Sequence, residues 1–354
     1  MNNLEGILVG NITLIVLGII SYYLNSFSNS GLFFGIRIPK KFIEYDEIVD
    51  LERRYKKIVI IMYLLIVVLF DILSFNFIKD KEVVVAQLIS IFMVGSILIN
   101  SGIFALYNKK VRDLKEKNNW NYKNNTVVVD TSLRKPKKDD KYKPLPSFIF
   151  ILPIFIPLII VILTFLRQDK LNYLRLNELY KLPINMIAMV IVIYILAKVS
   201  LSSRIDINST NLKSTIYKKK ILKMLFSIIF LVTEVGFIIL NSITQLGLIY
   251  TFDTSRVESI LNIFIAIIMI GFLIVIILMG RNGRRSIDKE NTEEEVYNND
   301  DKYWVLGMFY YNRNDPSFMI EKRAGIGYTV NFGNPKALIF FVILILFIIF
   351  ISKI

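Results

Sequence analysis

Eight long apolar runs constrain what this chain can fold into more than any other feature. They occupy residues 4–24, 58–78, 83–107, 147–166, 182–202, 221–244, 257–279 and 337–351. About 20 apolar residues in a helix, rising 1.5 Å each, match the roughly 30 Å hydrocarbon core of a bilayer. Inside that core every backbone N–H and C=O must be bonded within the segment, so each run is predicted to be a transmembrane helix. The expected fold class is an all-α polytopic membrane protein of about eight spans, with a small cytoplasmic β-meander described below. The first run is read as a retained helix. Its flank, Met1-Asn2-Asn3-Leu4-Glu5, lacks the positive charge of a signal peptide, and no small-residue cleavage site follows.

Charge orients the spans. The net charge is +14, which in a soluble chain would raise nucleic acid as a partner. Here the 43 basic residues alternate from loop to loop. The loops after spans one, three, five and seven hold seven, twelve, five and nine of them, 33 in all. The intervening loops and the C-terminal tail hold eight, and Lys198 and Lys223 lie at span ends on the basic side. Cytoplasmic loops collect Lys and Arg, so four basic loops are expected inside and both termini outside. The partner this charge predicts is the anionic inner leaflet, at about 1 kcal/mol per basic residue near the surface; nucleic acid is not expected. The loop 108–146 is the most basic, and its portion 109–117 reads as a helical extension of span three.

The domain organisation expected is spans one to three over 1–107, with a cytoplasmic loop at 25–57, followed by the basic loop 108–146. Spans four to seven follow over 147–280, then a cytoplasmic linker and aromatic segment over 281–336, then the last span over 337–354. Each half thus holds four spans, with a long cytoplasmic loop before its last one, as a duplicated four-helix unit would.

Cysteine and histidine are absent. That excludes disulfides, thiol chemistry, imidazole metal sites and Ser-His or Cys-His catalysis. No catalytic residue, metal or cofactor is expected, and the protein is read as a non-enzyme. Ionisable residues within spans are costly and are functional candidates by default. Two carboxylates qualify: Asp71 and Glu234, each 13 residues into a span that runs outward, and so both roughly 20 Å from the inner edge. Asn11, Gln87 and Asn262 fall in the same outer half, and Asn241 follows Ser227 and Glu234 at seven-residue steps along one stripe. One reading is a polar pocket whose acid pair binds a proton or cation. The other is ordinary hydrogen bonding between spans. Pro153 and Pro157 are predicted to kink span four; the carbonyls they free are also of the kind that line an ion site in transporters.

Two cytoplasmic segments carry more than charge. The first is Gly31-Leu32-Phe33-Phe34-Gly35-Ile36-Arg37-Ile38-Pro39, followed by a charged helical stretch over 46–57. The second reads as a three-stranded meander: a strand over 303–311, a turn at Asn312-Arg313-Asn314-Asp315-Pro316, a strand over 318–321, Gly325, and a strand over 328–332. A sheet this small needs a surface to pack on, and either the membrane face or the first segment can supply it. Its candidate docking residues are Trp304, Phe309, Tyr310, Tyr311, Arg323, Tyr328 and Phe332. The acidic stretch 288–301 before it reads as a solvated linker.

The run Trp304-Val305-Leu306-Gly307-Met308-Phe309-Tyr310-Tyr311-Asn312, with Asp315-Pro316 and the stretch Lys322 to Phe332, resembles the C-terminal domain of an uncharacterised family of Gram-positive multi-pass membrane proteins. Phe34-Gly35-Ile36-Arg37-Ile38-Pro39 resembles that family's N-terminal loop. In layout alone the chain is similar to the sporulation-delaying-protein immunity family, whose members protect against a toxin and signal to a cytoplasmic repressor. This resemblance implies a signalling, immunity or regulatory role with a cytoplasmic protein partner. The residues also leave open a proton- or cation-coupled transporter built on the acid pair.

Overall fold

The computed structural model describes residues 3–76, 82–120, 142–171, 175–201, 212–257 and 300–353, apart from 27, 29, 30 and 326, together with 259, 260, 263, 270 and 271. Among these, six helices are long and apolar enough to cross a membrane. The chain is therefore a helical polytopic membrane protein. The seventh apolar run and the loop residues 121–141 lie largely outside the described residues. The eighth run forms a helix whose apolar stretch, Pro335–Ile349, is shorter than the other six. The chain divides into two units.

The first unit comprises residues 1–126, 277–310 and 322–327. Its helices α1 (Asn3–Tyr23), α2 (Asp46–Asn76) and α3 (Glu82–Lys117) pack against one another pairwise. Small residues let the first two approach. Gly10, Leu14, Gly18 and Ser21 share one face of α1. A Cβ on Gly10 would strike the ring of Phe70, one on Gly18 would lie 3.1 Å from the ring of Tyr63, and Ser21 shares a 3.0 Å hydrogen bond with the Tyr63 hydroxyl. Ile7, Leu14, Ile66, Phe70 and Val85 form one core cluster here.

The α2 and α3 helices have 31 and 36 residues, about 47 and 54 Å of helix. That exceeds the hydrocarbon thickness, so both project beyond it. The projecting ends suit the macrodipole: Asp46 and Glu47 open α2, while Lys115 and Lys117 close α3. Against them fold two tight antiparallel hairpins. One pairs β1 (Leu32–Phe33) with β2 (Ile36–Arg37); the other pairs β3 (Trp304–Val305) with β4 (Phe309–Tyr310).

The second unit comprises residues 127–276, 311–321 and 328–354. Span four starts as a tight 3₁₀ turn over Ser147–Ile154 and becomes α-helical only at α4 (Phe155–Arg167). Pro153 lies inside the tight segment, just before the change to α-helix, and both Pro153 and Pro157 are buried. The α5 helix (Leu176–Leu201) packs against α4, α6 (Leu212–Tyr250) and α7 (Pro335–Lys353). A core of Ile160, Met186, Val190 and Ile238 joins three of these. A third hairpin, β5 (Met319–Glu321) with β6 (Tyr328–Val330), leads into α7.

The three-stranded meander is thus replaced by separate two-stranded sheets. The expected long strand over 303–311 folds back on itself as β3–β4, because Leu306 and Gly307 both take positive φ (54° and 71°). That is the backbone hand of the turns that match strand twist in short hairpins. The segment 281–336 is also divided: 300–310 and 322–327 fall in the first unit, 311–321 and 328–335 in the second.

Candidate functional site

Among the described residues, the most elaborate polar site is a buried ion cluster in the first unit, where residues 300–310 and Arg323 meet the β1–β2 hairpin and the end of α3. It begins with the β1–β2 turn, whose two central residues are Phe34 and Gly35, both at positive φ (46° and 78°). For Phe34 that conformation costs roughly 1–2 kcal/mol. Burial of its ring repays about 1.5–3 kcal/mol. The ring is fully buried, with the rings of Phe33, Tyr55, Phe104 and Tyr107 centred within 4.9–5.4 Å.

The turn's backbone is held at three points. Phe34 N donates to Asn25 Oδ1 at 2.8 Å, Asn108 Nδ2 donates to Phe34 O at 2.6 Å, and Arg323 Nη1 donates to Gly35 O at 2.8 Å. The β3–β4 turn then sits directly on it. A Cβ added to Gly35 would lie 2.6 Å from Gly307 O, and one added to Gly307 would lie 2.7 Å from Phe34 O and strike the Asn108 amide. Two turn tips meet backbone to backbone, and only glycine fits at either.

Around this contact lie Arg37, Lys115 and Arg323, all buried, with Asp300 and Asp301. Arg37 Nε donates to Asp300 Oδ1 at 2.9 Å, and Lys115 Nζ donates to Asp301 Oδ2 at 2.7 Å. Arg323 pairs with both carboxylates through Nη1 and Nη2, and its guanidinium lies 5.0 Å over the Trp304 ring. Trp304 Nε1 reaches Asp300 Oδ2 at 3.4 Å, and Arg112 Nη2 donates to Trp304 O at 3.2 Å.

Burial alone would raise the Asp300 carboxyl, but the guanidiniums of Arg323 and Arg37 outweigh it and hold it below the usual carboxylate range. Burial opposes ionisation of Asp301 likewise, and Arg323 and Lys115 overcome it. Every carboxylate oxygen is engaged by a neighbour. These pairs clamp residues 300–301 and Arg323 to the β1–β2 hairpin and the end of α3.

Of the expected docking residues, Trp304, Tyr310 and Arg323 are buried in the first unit. Phe309 is 44% exposed there, and Tyr311 and Phe332 are exposed in the second unit. Tyr328 is half-buried; burial, then the Glu321 carboxylate, push its phenol up.

Among the intramembrane candidates, Asn11 Nδ2 donates to Asp71 Oδ1 at 2.7 Å, joining α1 to α2 in the first unit. Gln87 is exposed, and Asn262 lies outside the described residues. In the second unit Glu234 is fully buried and neither of its carboxyl oxygens has a hydrogen-bond partner among the described residues. Asn241 Nδ2 donates to the carbonyl of Phe237 on its own helix, and Ser227 accepts from Leu145 N ahead of the 3₁₀ turn.

Four groups escaped the sequence reading. Asp300 and Asp301 belong to the cluster and not to a solvated linker; residues 288–299 lie outside the described residues. Their signal was adjacency to Tyr303-Trp304, where the acidic run meets aromatic strand. Asn25, Asn108 and Lys115 had no signal beyond position. Asn331, fully buried in the second unit, donates to Asn312 O and Asp315 O and accepts from Asn312 N and Gly333 N. Gln245 bridges Thr164 and the Leu179 carbonyl between α6, α4 and α5.

A family of unknown function (DUF5808) matches residues 313–338. That stretch contains β5, Arg323, β6, Asn331 and the start of α7, and supports a C-terminal domain of unknown function. No curated protein and no solved structure matches the chain.

Proposed function

We propose that this chain is a non-enzymatic protein of a bacterial plasma membrane with a signalling, immunity or regulatory role. It crosses the bilayer eight times with both termini outside, and its clamped cytoplasmic segments present a surface to a cytoplasmic protein. The observation that carries this reading is the buried ion cluster. Three cations and two carboxylates are committed to holding residues 300–310 and Arg323 against the β1–β2 hairpin and α3. Removing one partner from such a cluster leaves charge buried and uncompensated, at about 3–5 kcal/mol. A passive loop has no need of that order, whereas a surface that must keep one shape for a partner does.

A second reading, proton- or cation-coupled transport, is favoured by one observation. The Glu234 carboxyl is buried with both oxygens unbonded among the described residues, and a buried acid without a partner is the group a proton or cation would visit.

One experiment separates the two readings. A deletion strain is complemented with wild type, with Arg323→Ala, or with the Asp71→Asn/Glu234→Gln pair, and transcript profiles and cation-dependent uptake are compared. Restoration by the acid-pair variant but not by Arg323→Ala supports the regulatory reading. Uptake that depends on Glu234, with transcripts indifferent to Arg323, overturns it.

A further inference from the structure

The second cytoplasmic segment runs along α3 in a fixed register that gives its depth. Asp301 is bonded at Lys115, the Trp304 carbonyl at Arg112, and Gly307 packs at Asn108. From Lys115 to Asn108 is seven residues, about 10 Å of helix. Asn108 is also the residue at which the apolar run of α3 ends and the cations Lys109 and Lys110 begin. The chain therefore descends α3 toward the membrane and turns back at the level where hydrocarbon gives way to headgroups.

The tip that arrives there is apolar and partly exposed: Val305 is 51% exposed, Leu306 48% and Phe309 44%. Lys109 and Lys110 are exposed directly after Asn108, while Lys302 follows Asp301 at the Lys115 level, where the exposed acids Asp113 and Glu116 lie, one to two turns further along α3 and away from the tip. The apolar residues and the cations are thus graded in the order that a lipid surface presents acyl chain and phosphate.

We propose that the tip of the β3–β4 hairpin is inserted at the headgroup boundary of the membrane its own helices cross, with Lys109 and Lys110 on anionic headgroups. The occupant of this surface is lipid. This deepens the reading above by naming one partner of the cytoplasmic unit, and it rests on that reading only in taking α3 to leave the bilayer near residue 108.

The chain has no cysteine, so single-cysteine variants can be labelled without background. Leu306→Cys and Val305→Cys, with Glu116→Cys as the distant reference, are labelled with an environment-sensitive fluorophore. The purified full chain is placed in nanodiscs containing phosphatidylglycerol. Nitroxide-bearing lipid is expected to quench positions 305 and 306 several-fold more than 116, and aqueous iodide to do the reverse. Replacing phosphatidylglycerol with phosphatidylcholine, or Lys109 and Lys110 with Gln, should weaken the lipid quenching.

Iodide quenching at 306 equal to that at 116 overturns the proposal. Shielding of 306 from both quenchers also overturns it, since a protein surface would then cover the tip. Indifference to lipid charge and to the lysine changes removes the headgroup contact. All these readouts use purified protein, so failure of the transcript experiment leaves them unaffected.

Discussion

At Gly35 and Gly307 two backbones touch where any side chain would intrude, so these positions test the clamp most directly. Gly307→Ala meets both the Phe34 carbonyl and a φ of +71°. A strained backbone of this kind costs on the order of 1–3 kcal/mol. The purified variant should melt at a lower temperature and be cut faster by protease between residues 300 and 310; wild-type melting and cleavage would reject the turn-on-turn contact. The pH dependence of the clamp follows from Asp300 and Asp301, whose folded carboxyls are held below their usual range. A depressed carboxylate contributes stability that is complete above the unfolded value of about 3.9 and is lost as pH falls through the lower folded one. Protease resistance of 300–310 should therefore be flat from pH 8 to 5 and fall only below about pH 4. A midpoint near neutrality would mean that other groups hold the segment. These pairings were not legible beforehand. Arg37 and Arg323 are 286 positions apart in a chain with 43 basic residues, and nothing local marks which of them are buried.

Among the elements, the hairpins depart furthest from expectation. Aromatic alternation over 303–311 reads as one strand, yet Leu306-Gly307 reverses the chain after two residues. The cue was Gly307 itself, outweighed by β-formers on both sides. The link between β6 and α7 shows the opposite case, where sequence chemistry is local enough to read. Asn334 Oδ1 accepts from Lys336 N and Ala337 N, and Pro335 is the first helical residue, an N-cap with proline at the position that needs no donor. Asn331 bonds four backbone groups around the preceding turn. Asn331→Ala strands several buried polar groups at about 1–3 kcal/mol each, whereas Asn334→Ala loses a cap worth roughly 1 kcal/mol and the bond from its amide to the Pro316 carbonyl. Thermal unfolding should rank the two in that order, and cleavage between 311 and 335 should rise more for Asn331→Ala than for Asn334→Ala. Equal, small effects would show that the turn is held by something other than Asn331.

For the whole molecule, the prediction concerns topology. Reporter fusions should place Lys138 and Glu293 in the cytoplasm and Asp169 and Thr254 outside. Lys138 and Thr254 on one side would sink the eight-span arrangement, because three spans lie between them. The same fusions decide whether Pro335–Lys353 crosses. Its apolar stretch is short, but a bilayer thins to meet a short span at fractions of a kcal/mol per Å of mismatch.

The sequence alone determined that the chain is a helical membrane protein and that α2 and α3 run on as charged helices beyond their apolar parts. Hydrophobicity over 20 residues and charge alternation are local sums, and they need no knowledge of neighbours. It also singled out the two hairpin-bearing segments, because glycine, proline and aromatics mark turns and strands within a few positions. What only the tertiary structure decided was where polar groups find partners. The Asn11–Asp71 bond, the burial of Asp300 and Asp301 among cations, and the pairing of two glycine turns all join residues far apart in the chain. Burial of a charge becomes affordable only when a specific partner arrives, and the identity of that partner is a property of the fold.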